Sequence, residues 1–156
     1  MSDLEYKTLH QALIALIEDE PDALANLANS AALLYHSMEE INWAGFYLYK
    51  ENQLVLGPFQ GKPACIRIAI GRGVCGTAAQ KRESILVQDV HEFPGHIACD
   101  AASASELVIP IIKENKLLGV LDIDSPRRSR FNERDRQGLE EYRDILLTRI
   151  RWEDLL

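Results

Sequence analysis

Two apolar runs dominate the second half of the chain, reading ELVIPII at 106–112 and KLLGVLDID at 116–124. Glu114 and Asn115 stand between them, and such polar residues between apolar runs are typical of a tight turn. Two strand-like runs on either side of a turn predict an antiparallel hairpin.

The same hairpin carries three acidic residues. Asp122 and Asp124 are two residues apart, so in a strand they point to the same face. If the hairpin centres on Asn115, Glu106 lies opposite Asp124, whereas a slip of one residue would move Glu106 to the other face. With the first register, the three carboxylates gather at one end of the sheet. The simpler interpretation is a solvated strand end.

The remaining elements are short strands and a few helices. Periodicity predicts helices over 3–18 and 22–38, and a glycine-rich loop entering a short helix at 71–83. A final helix is expected from Asn132, a good N-cap residue. The inner faces are expected to include Leu9, Leu13, Leu16 and Ile17, then Leu24, Leu27, Ala31, Leu34, Tyr35 and Met38, then Leu139, Tyr142, Leu146 and Ile150. The further strand-like runs are WAGFYLYK (43–50), LVLGPF (54–59), CIRIAI (65–70) and SILVQDV (84–90).

This order of elements predicts an α+β fold. We expect a single domain over residues 1–156, with a mostly antiparallel six-stranded sheet and helices packed on one face. A chain of 156 residues can bury one substantial core.

The net charge of −7 argues against partners with anionic surfaces. Such a chain is repelled by nucleic-acid phosphates and by acidic lipid, so neither nucleic acid nor membrane is expected as a partner. The basic cluster of Arg127, Arg128 and Arg130 is more simply a solvated loop than an anion site. The N-terminal residues lack the apolar core of a signal peptide, and the apolar runs are too short to span a bilayer. A cytoplasmic location is therefore expected.

The chain has three cysteines, Cys65, Cys75 and Cys99, an odd number that cannot close into a disulfide framework. In a reducing compartment they are core residues, metal ligands or reactive thiols. Cys99 lies in an irregular segment, HEFPGHIACDAASAS (91–105), and long irregular loops in compact domains are commonly functional. Its small neighbours would let a ligand approach backbone N–H groups, which can bind a carboxylate or lower the pKa of a thiol.

Cys99 has other interpretations. A lone cysteine is most often a small buried apolar residue. His91, His96 and Cys99 could bind a metal, although no fourth ligand follows at a familiar interval. A Cys–His pair with His96 is a further alternative, but neighbours on one loop seldom supply such a pair.

A thiolate, a proton donor and an ammonium-binding acidic cluster would together suit the reduction of an amino-acid sulfoxide. Thiolate attack on sulfur leaves a thioether and a cysteine sulfenic acid, which a second thiol converts to a disulfide. Cys65 and Cys75 are available as resolving thiols. Trp43, before Gly45, Phe46 and Tyr47, could line an apolar pocket for an S-methyl group, although most tryptophans in such strands are core residues.

The chain resembles the free methionine-(R)-sulfoxide reductases, which have the GAF fold. The resemblance covers about Asn42 to Pro126, and the flanking helices suit the same fold. FPGHIACD together with GVLDIDSP is a specific pair of signatures, and the Cys-x9-Cys-x23-Cys spacing also matches. The segments that carry the resemblance are NWAGFYLY, GPFQGKPAC, GRGVCGTAA, DVHEFPGHIACDAAS, SELVIP and GVLDIDSP.

By position, the resemblance implies a role for each site residue. Cys99 is the nucleophile, Cys65 the thiol that forms a disulfide with it, and Cys75 a weaker or alternative resolving thiol. The acidic substrate site is Glu106, Asp122 and Asp124, the aromatic wall is Trp43 and Tyr47, and the carboxylate-binding backbone runs from Ile97 through Ala98 to Cys99.

The resemblance also implies thioredoxin as reductant, no cofactor or metal, and frequent homodimers in the family. Ala104 departs from the family pattern, in which a polar residue is expected before Ser-Glu. The rival interpretations are a GAF-type module that senses a small ligand, and a redox-sensing thiol protein. Fold alone does not decide between them.

Overall fold

The computed structural model describes residues 1–96 and 102–156. Within them the helices are α1 (Asp3–Ile17), α2 (Ala23–Ser37), α3 (Gly73–Lys81) and α4 (Glu133–Arg149). The strands are β1 (Trp43–Lys50), β2 (Gln53–Gly61), β3 (Arg67–Ala69), β4 (Ile85–Val87), β5 (Ser105–Lys113) and β6 (Lys116–Ser125). Single turns of 3₁₀ helix cover Val90–Glu92 and Trp152–Asp154.

The six strands of the described chain form one sheet in the order β3-β2-β1-β6-β5-β4. Its strand pairs are all antiparallel within this part of the chain. The predicted α+β class and six-stranded sheet are confirmed. One arm of the predicted hairpin, β6, pairs with β1, which carries Trp43, and the other arm, β5, lies on the far side of β6.

The predicted hairpin register is confirmed at the acidic residues, because Glu106 pairs with Asp124. The turn itself is tighter than expected, since Lys113 pairs with Lys116 and both turn residues between them have positive φ. A register shift between Ile111 and Ile112 adds one residue to β6. This bulge restores the predicted pairing, and without it Glu106 would face Ile123.

Three helices, α1, α2 and α4, pack on one face of the sheet over a continuous apolar core. Polar side chains cap the start of all three, and at α1 the Ser2 hydroxyl accepts from the N–H of Glu5. Asp22 caps α2, and Asn132 forms a reciprocal capping box with Asp135 at the start of α4. The predicted inner faces are largely confirmed, but Leu16 and Leu24 are wrong, being 41% and 58% exposed.

The expectation that all helices share one face needs a correction for α3. This helix packs on the opposite face against β3, β4, β5 and β6. Strand alternation places Tyr47, Val108 and Val120 on that face, so it is apolar too and needs cover. Small residues allow α3 to lie close, since a Cβ at Gly76 would stand 2.5 Å from the carbonyl oxygen of Ala69.

Across the described residues, none of the helices combines the length and the apolar character needed to cross a bilayer.

Candidate active site

A pocket opens between α3 and the sheet, at the end where the three acidic residues gather. β1 contributes Trp43 and Tyr47, β5 contributes Glu106, and β6 contributes Asp122 and Asp124. The alternation along each strand turns these side chains away from the helical core. The lining is completed by Lys62, Pro63, Ala64, Ile68, Arg72, Gly73, Val74, Cys75, His96 and Ser103.

The acidic cluster is buried and contains a thiol. Glu106 is 8% exposed and Asp122 is 5% exposed. The Cys75 Sγ–H donates to Glu106 Oε2 over 3.9 Å, and one ligand atom each from Cys75, Glu106 and Asp122 lies within 4.8 Å of the others. Among the described residues, Asp122 Oδ1 has no hydrogen-bond partner although it is buried. A buried acceptor in that state is suited to a donor supplied by a ligand.

Burial and mutual repulsion hold protons on this cluster. Desolvation, followed by the charges of Asp122 and Asp124, raises the pKa of Glu106 well above its usual value. Desolvation also raises the pKa of Asp122. The pKa of the Cys75 thiol is raised well above its usual value by burial and then by the charges of Asp122 and Glu106. Cys75 is thus held as a neutral thiol.

An aromatic wall stands beside the acids. The Trp43 ring stacks on Phe59 with centroids 5.1 Å apart and on Tyr47 with centroids 5.9 Å apart. The indole N–H of Trp43 donates to the carbonyl of Lys62 over 3.1 Å, and the Tyr47 hydroxyl donates to the carbonyl of Cys65 over 2.8 Å. Both rings are held in place, and both residues line the pocket.

The three cysteines differ in what the structure shows of them. Cys75 is a free, buried thiol at the start of α3. Cys65 is half-buried and disulfide-bonded. Cys99 lies outside the described residues, as do Ile97 and Ala98, so their predicted roles remain predictions. Of the predicted site residues, the structure brings together Trp43, Tyr47, Cys75, Glu106, Asp122 and Asp124.

Comparison with known proteins matches residues 14–142 to the GAF domain family. The chain is 54% identical to the free methionine-R-sulfoxide reductase of Escherichia coli, over 87% of this chain and 82% of that protein. It is 57% identical to protein YtsP of Bacillus subtilis, over 91% of this chain and 88% of that one. The Staphylococcus aureus fRMsr structure in complex with substrate superposes with a TM-score of 0.89, at 50% identity over 93% of this chain and 95% of that chain.

This chain belongs to the free methionine-R-sulfoxide reductase family. The residue at which it departs from the family pattern is Ala104, just before β5. Its backbone N–H donates to the carbonyl of Ser125 over 2.7 Å, and its carbonyl accepts from the N–H of Val90 over 2.8 Å. Because main-chain bonds fix the entry to β5, the placement of Glu106 does not depend on the side chain at position 104.

Some pocket residues of this family member were not predicted from the sequence. Lys62 and Arg72 are exposed cations that line the mouth, and Ser103 is a buried hydroxyl. Arg72 stands between Gly71 and Gly73, and that Gly-Arg-Gly signal could have drawn attention to it. Nothing in the pattern around Lys62 or Ser103 marks them.

His96 also lines the pocket, whereas His91 is exposed. Burial, with a smaller contribution from the charge of His91, lowers the pKa of His96. Within the described residues, the atoms that could hold a metal ion belong to Cys75, Glu106 and Asp122. The sequence-based metal hypothesis named His91, His96 and Cys99 instead, and Cys99 lies outside the described part of the chain.

Proposed function

We propose that this chain, as one GAF-like domain over residues 1–156, reduces free L-methionine-(R)-sulfoxide to L-methionine. The observation that carries the proposal is the buried pair of Glu106 and Asp122, next to Asp124 and beneath the Trp43 and Tyr47 rings. Acidic side chains and an aromatic wall at one pocket match the ammonium group and the S-methyl group of a small zwitterionic sulfoxide.

The acidic cluster binds the substrate's ammonium group. Asp122 Oδ1 offers a buried acceptor with no hydrogen-bond partner among the described residues, and an ammonium has three N–H donors to give. A peptide-bound methionine lacks this cation, so the same contact selects the free amino acid. Backbone N–H groups around Ile97 and Ala98 receive the carboxylate.

Glu106 supplies the proton that the departing oxygen needs. Its pKa is raised well above the usual value by burial and by Asp122 and Asp124, so it keeps its proton to a higher pH than an ordinary glutamate, as a general acid requires. The stacked rings of Trp43 and Tyr47 place the S-methyl group, which orients the sulfoxide oxygen toward the acid.

Cys99 attacks the sulfoxide sulfur as a thiolate. The S–O bond breaks, the oxygen passes to Cys99 as a sulfenic acid, and the substrate sulfur is reduced by two electrons to the thioether. The Cys65 thiol then displaces water from the sulfenic acid and forms a disulfide with Cys99. Cys75, a buried neutral thiol, has the weaker resolving role. Thioredoxin returns the disulfide to two thiols, in a cytoplasmic enzyme that forms homodimers.

The first test is a product assay on the reduced protein. Reduced protein is incubated with racemic free methionine sulfoxide and dithiothreitol, and the epimers are separated by chiral chromatography. We expect loss of the R epimer alone, with an equal amount of methionine formed. If neither epimer is consumed, the enzyme proposal fails and a ligand-sensing GAF domain takes its place.

Cysteine variants separate the proposed roles. Cys99→Ser should abolish turnover while still binding the sulfoxide. Cys65→Ser should slow multiple turnover with thioredoxin but keep the first turnover, because resolution follows attack. Cys75→Ser is the matched control, with a much smaller loss. A single-turnover yield of methionine that collapses in Cys65→Ser would contradict the assignment.

A further inference from the structure

The Trp43 ring that lines the pocket is itself supported by a second aromatic ring, that of Phe59. The two ring centroids are 5.1 Å apart, and the ring planes lie within 15° of parallel. Phe59 is half-buried in the apolar cluster between the sheet and α3. It is not among the described residues that line the pocket, so it acts on a bound ligand through Trp43.

A β-bulge in β2 turns Phe59 toward this face of the sheet. Gly45 of β1 pairs with Phe59. Tyr47, two residues further along β1, pairs with Leu56, which lies three residues back along β2. Because strand side chains alternate between faces, the extra residue in β2 moves Phe59 to the face that carries Leu56. Bulges beside functional sites commonly redirect a side chain in this way.

Two glycines make room for the stacked rings. A Cβ at Gly45 would overlap the Cβ of Phe59 and stand 2.7 Å from its Cα, so Phe59 fills the space that a side chain at position 45 would need. Gly61 pairs with Trp43, and a Cβ there would stand 2.6 Å from Trp43 Cδ1. The indole is therefore packed against the backbone of β2 as well as against the Phe59 ring.

The groups that hold the indole differ in whether they also line the pocket. The backbone of Gly61 and the carbonyl of Lys62, which accepts from the indole N–H, are main-chain groups. Tyr47 stacks on Trp43 but lines the pocket itself. Among the described residues, Phe59 is thus the side chain that supports the indole from outside the pocket. A smaller side chain at position 59 would leave space into which Trp43 can shift.

We propose that Phe59 is a positioning residue that limits the size of the S-alkyl group accepted by the pocket, because it holds the Trp43 ring in place. This inference rests on the proposed function, in which Trp43 and Tyr47 receive the S-methyl group. Close packing makes the wall resist displacement, so an S-ethyl group requires the indole to move toward Phe59. Hydrophobic pockets discriminate between groups that differ by one methylene by about 10- to 200-fold.

The test measures kcat/KM of the full chain, with dithiothreitol, for free methionine sulfoxide and for its S-ethyl analogue, ethionine sulfoxide. We expect the wild type to favour methionine sulfoxide by about tenfold or more. Phe59→Leu removes the flat ring and should lower this ratio about fivefold, mainly through a lower KM for the S-ethyl substrate. Both substrates are measured on one preparation, so the fraction of folded protein cancels in the ratio.

Two further variants separate support of the indole from general packing. Phe59→Tyr keeps the ring, and its ratio should equal that of the wild type. Tyr49→Leu is the matched control, because it removes another half-buried ring of the same apolar cluster. Within the described residues, Tyr49 neither lines the pocket nor stacks on Trp43, so its ratio should also be unchanged.

The outcomes that overturn the inference differ from the one that refutes the proposed function. A ratio that stays at the wild-type value in Phe59→Leu, or that falls equally in Tyr49→Leu, overturns the role of Phe59. Equal kcat/KM for both substrates in the wild type also overturns it, because the wall then sets no size limit. No turnover of either substrate by the wild type would refute the proposed function, and this inference with it.

Discussion

Asp135 and Asp122 are both buried acids, but their surroundings are opposite. Asp135, on the helical face, accepts from the Tyr6 hydroxyl over 2.6 Å and from the Asn132 N–H over 3.0 Å, and it pairs with Arg130 at 3.5 Å. Asp122, on the other face, has Glu106 as its neighbour and no ion pair among the described residues. Its Oδ1 has no hydrogen-bond partner there.

We interpret Asp135 as an acid that stabilises the fold and Asp122 as an acid available to a ligand. Burying a carboxylate costs free energy unless donors and a cation compensate it. Asp135 is compensated within the chain, so it holds α1 and α4 together. Asp122 has no cation beside it among the described residues, and its Oδ1 lacks a hydrogen-bond partner there, so a bound cation can recover part of the free energy lost in burying it. The face of the sheet covered by α1, α2 and α4 (the helical face) therefore carries an acid that stabilises the fold. The face covered by α3 (the pocket face) carries the acids proposed to bind a ligand.

The largest expected effect is on catalysis, with Glu106→Gln. This variant removes the proposed proton donor but preserves the shape of the side chain. We expect kcat/KM with dithiothreitol to fall about 10³-fold, within the range for loss of a general acid. The free energy of unfolding, measured by urea denaturation, should stay the same or rise because a repelling carboxyl is gone.

The matched control for that variant is Glu114→Gln, the same change at the exposed hairpin turn. Its kcat/KM should equal that of the wild type. If Glu106→Gln instead lowers stability by several kcal/mol, Glu106 is a structural residue and the contrast between the two faces fails.

The comparison itself is tested by a pair of identical substitutions. Asp135→Asn should lower the free energy of unfolding by about 3 kcal/mol, because it leaves the Arg130 cation buried without its partner. Asp122→Asn should leave stability unchanged or higher while weakening substrate binding. Urea denaturation curves of both variants, with equal slopes to confirm that the unfolded states are alike, give the two values. Equal losses would show that both acids serve the fold.

The pH dependence of stability is expected to differ between wild type and Glu106→Gln. The pKa of Glu106 is above its usual 4.5 in the folded chain, so the folded state binds the proton more tightly than the unfolded one. Its contribution to stability is complete below pH 4.5 and is lost as the pH rises through the folded value. The wild type should therefore lose up to about 1.4 kcal/mol per pH unit relative to the variant over that window.

Urea denaturation of both proteins at a series of pH values measures this difference, in which the contributions of other groups largely cancel. The sign is diagnostic. If the wild type gains stability relative to Glu106→Gln as the pH rises, Glu106 is ionised in the fold and cannot be the acid that protonates the sulfoxide oxygen.

The sequence predicted the buried residues of the helical face well, because packing there follows helical and strand periodicity. Leu139, Tyr142 and Leu146 are buried as expected. Leu16 and Leu24 are exposed because each lies at the edge of its helix's apolar stripe, where periodicity alone does not say how far the sheet extends. The pairing of Glu106 with Asp124 was also predicted, although it depends on a β-bulge that the sequence pattern did not predict.

The pocket face was harder to predict because the residues that line the pocket come from segments far apart in the sequence. The acids share one hairpin and were found together, but α3 was placed on the wrong face, because the periodicity of a helix does not show which face of a sheet it covers. Arg127, Arg128 and Arg130 were noticed because they are neighbours in sequence, yet each has a carboxylate partner. Lys62 and Arg72 both line the pocket but are separated along the chain, and they were not recognised together.

The smallest expected effect concerns an acid that is paired but close to solvent. Arg128, 71% exposed, contacts Asp89 at 3.3 Å, and water can solvate the guanidinium when the contact is lost. Arg128→Gln should therefore change the free energy of unfolding by about 0.5 kcal/mol or less, with no change in turnover. A loss near that of Asp135→Asn would mean that pairing alone, rather than burial, explains the stability of these acids. In that case the lack of an ion pair at Asp122 would no longer mark a ligand site.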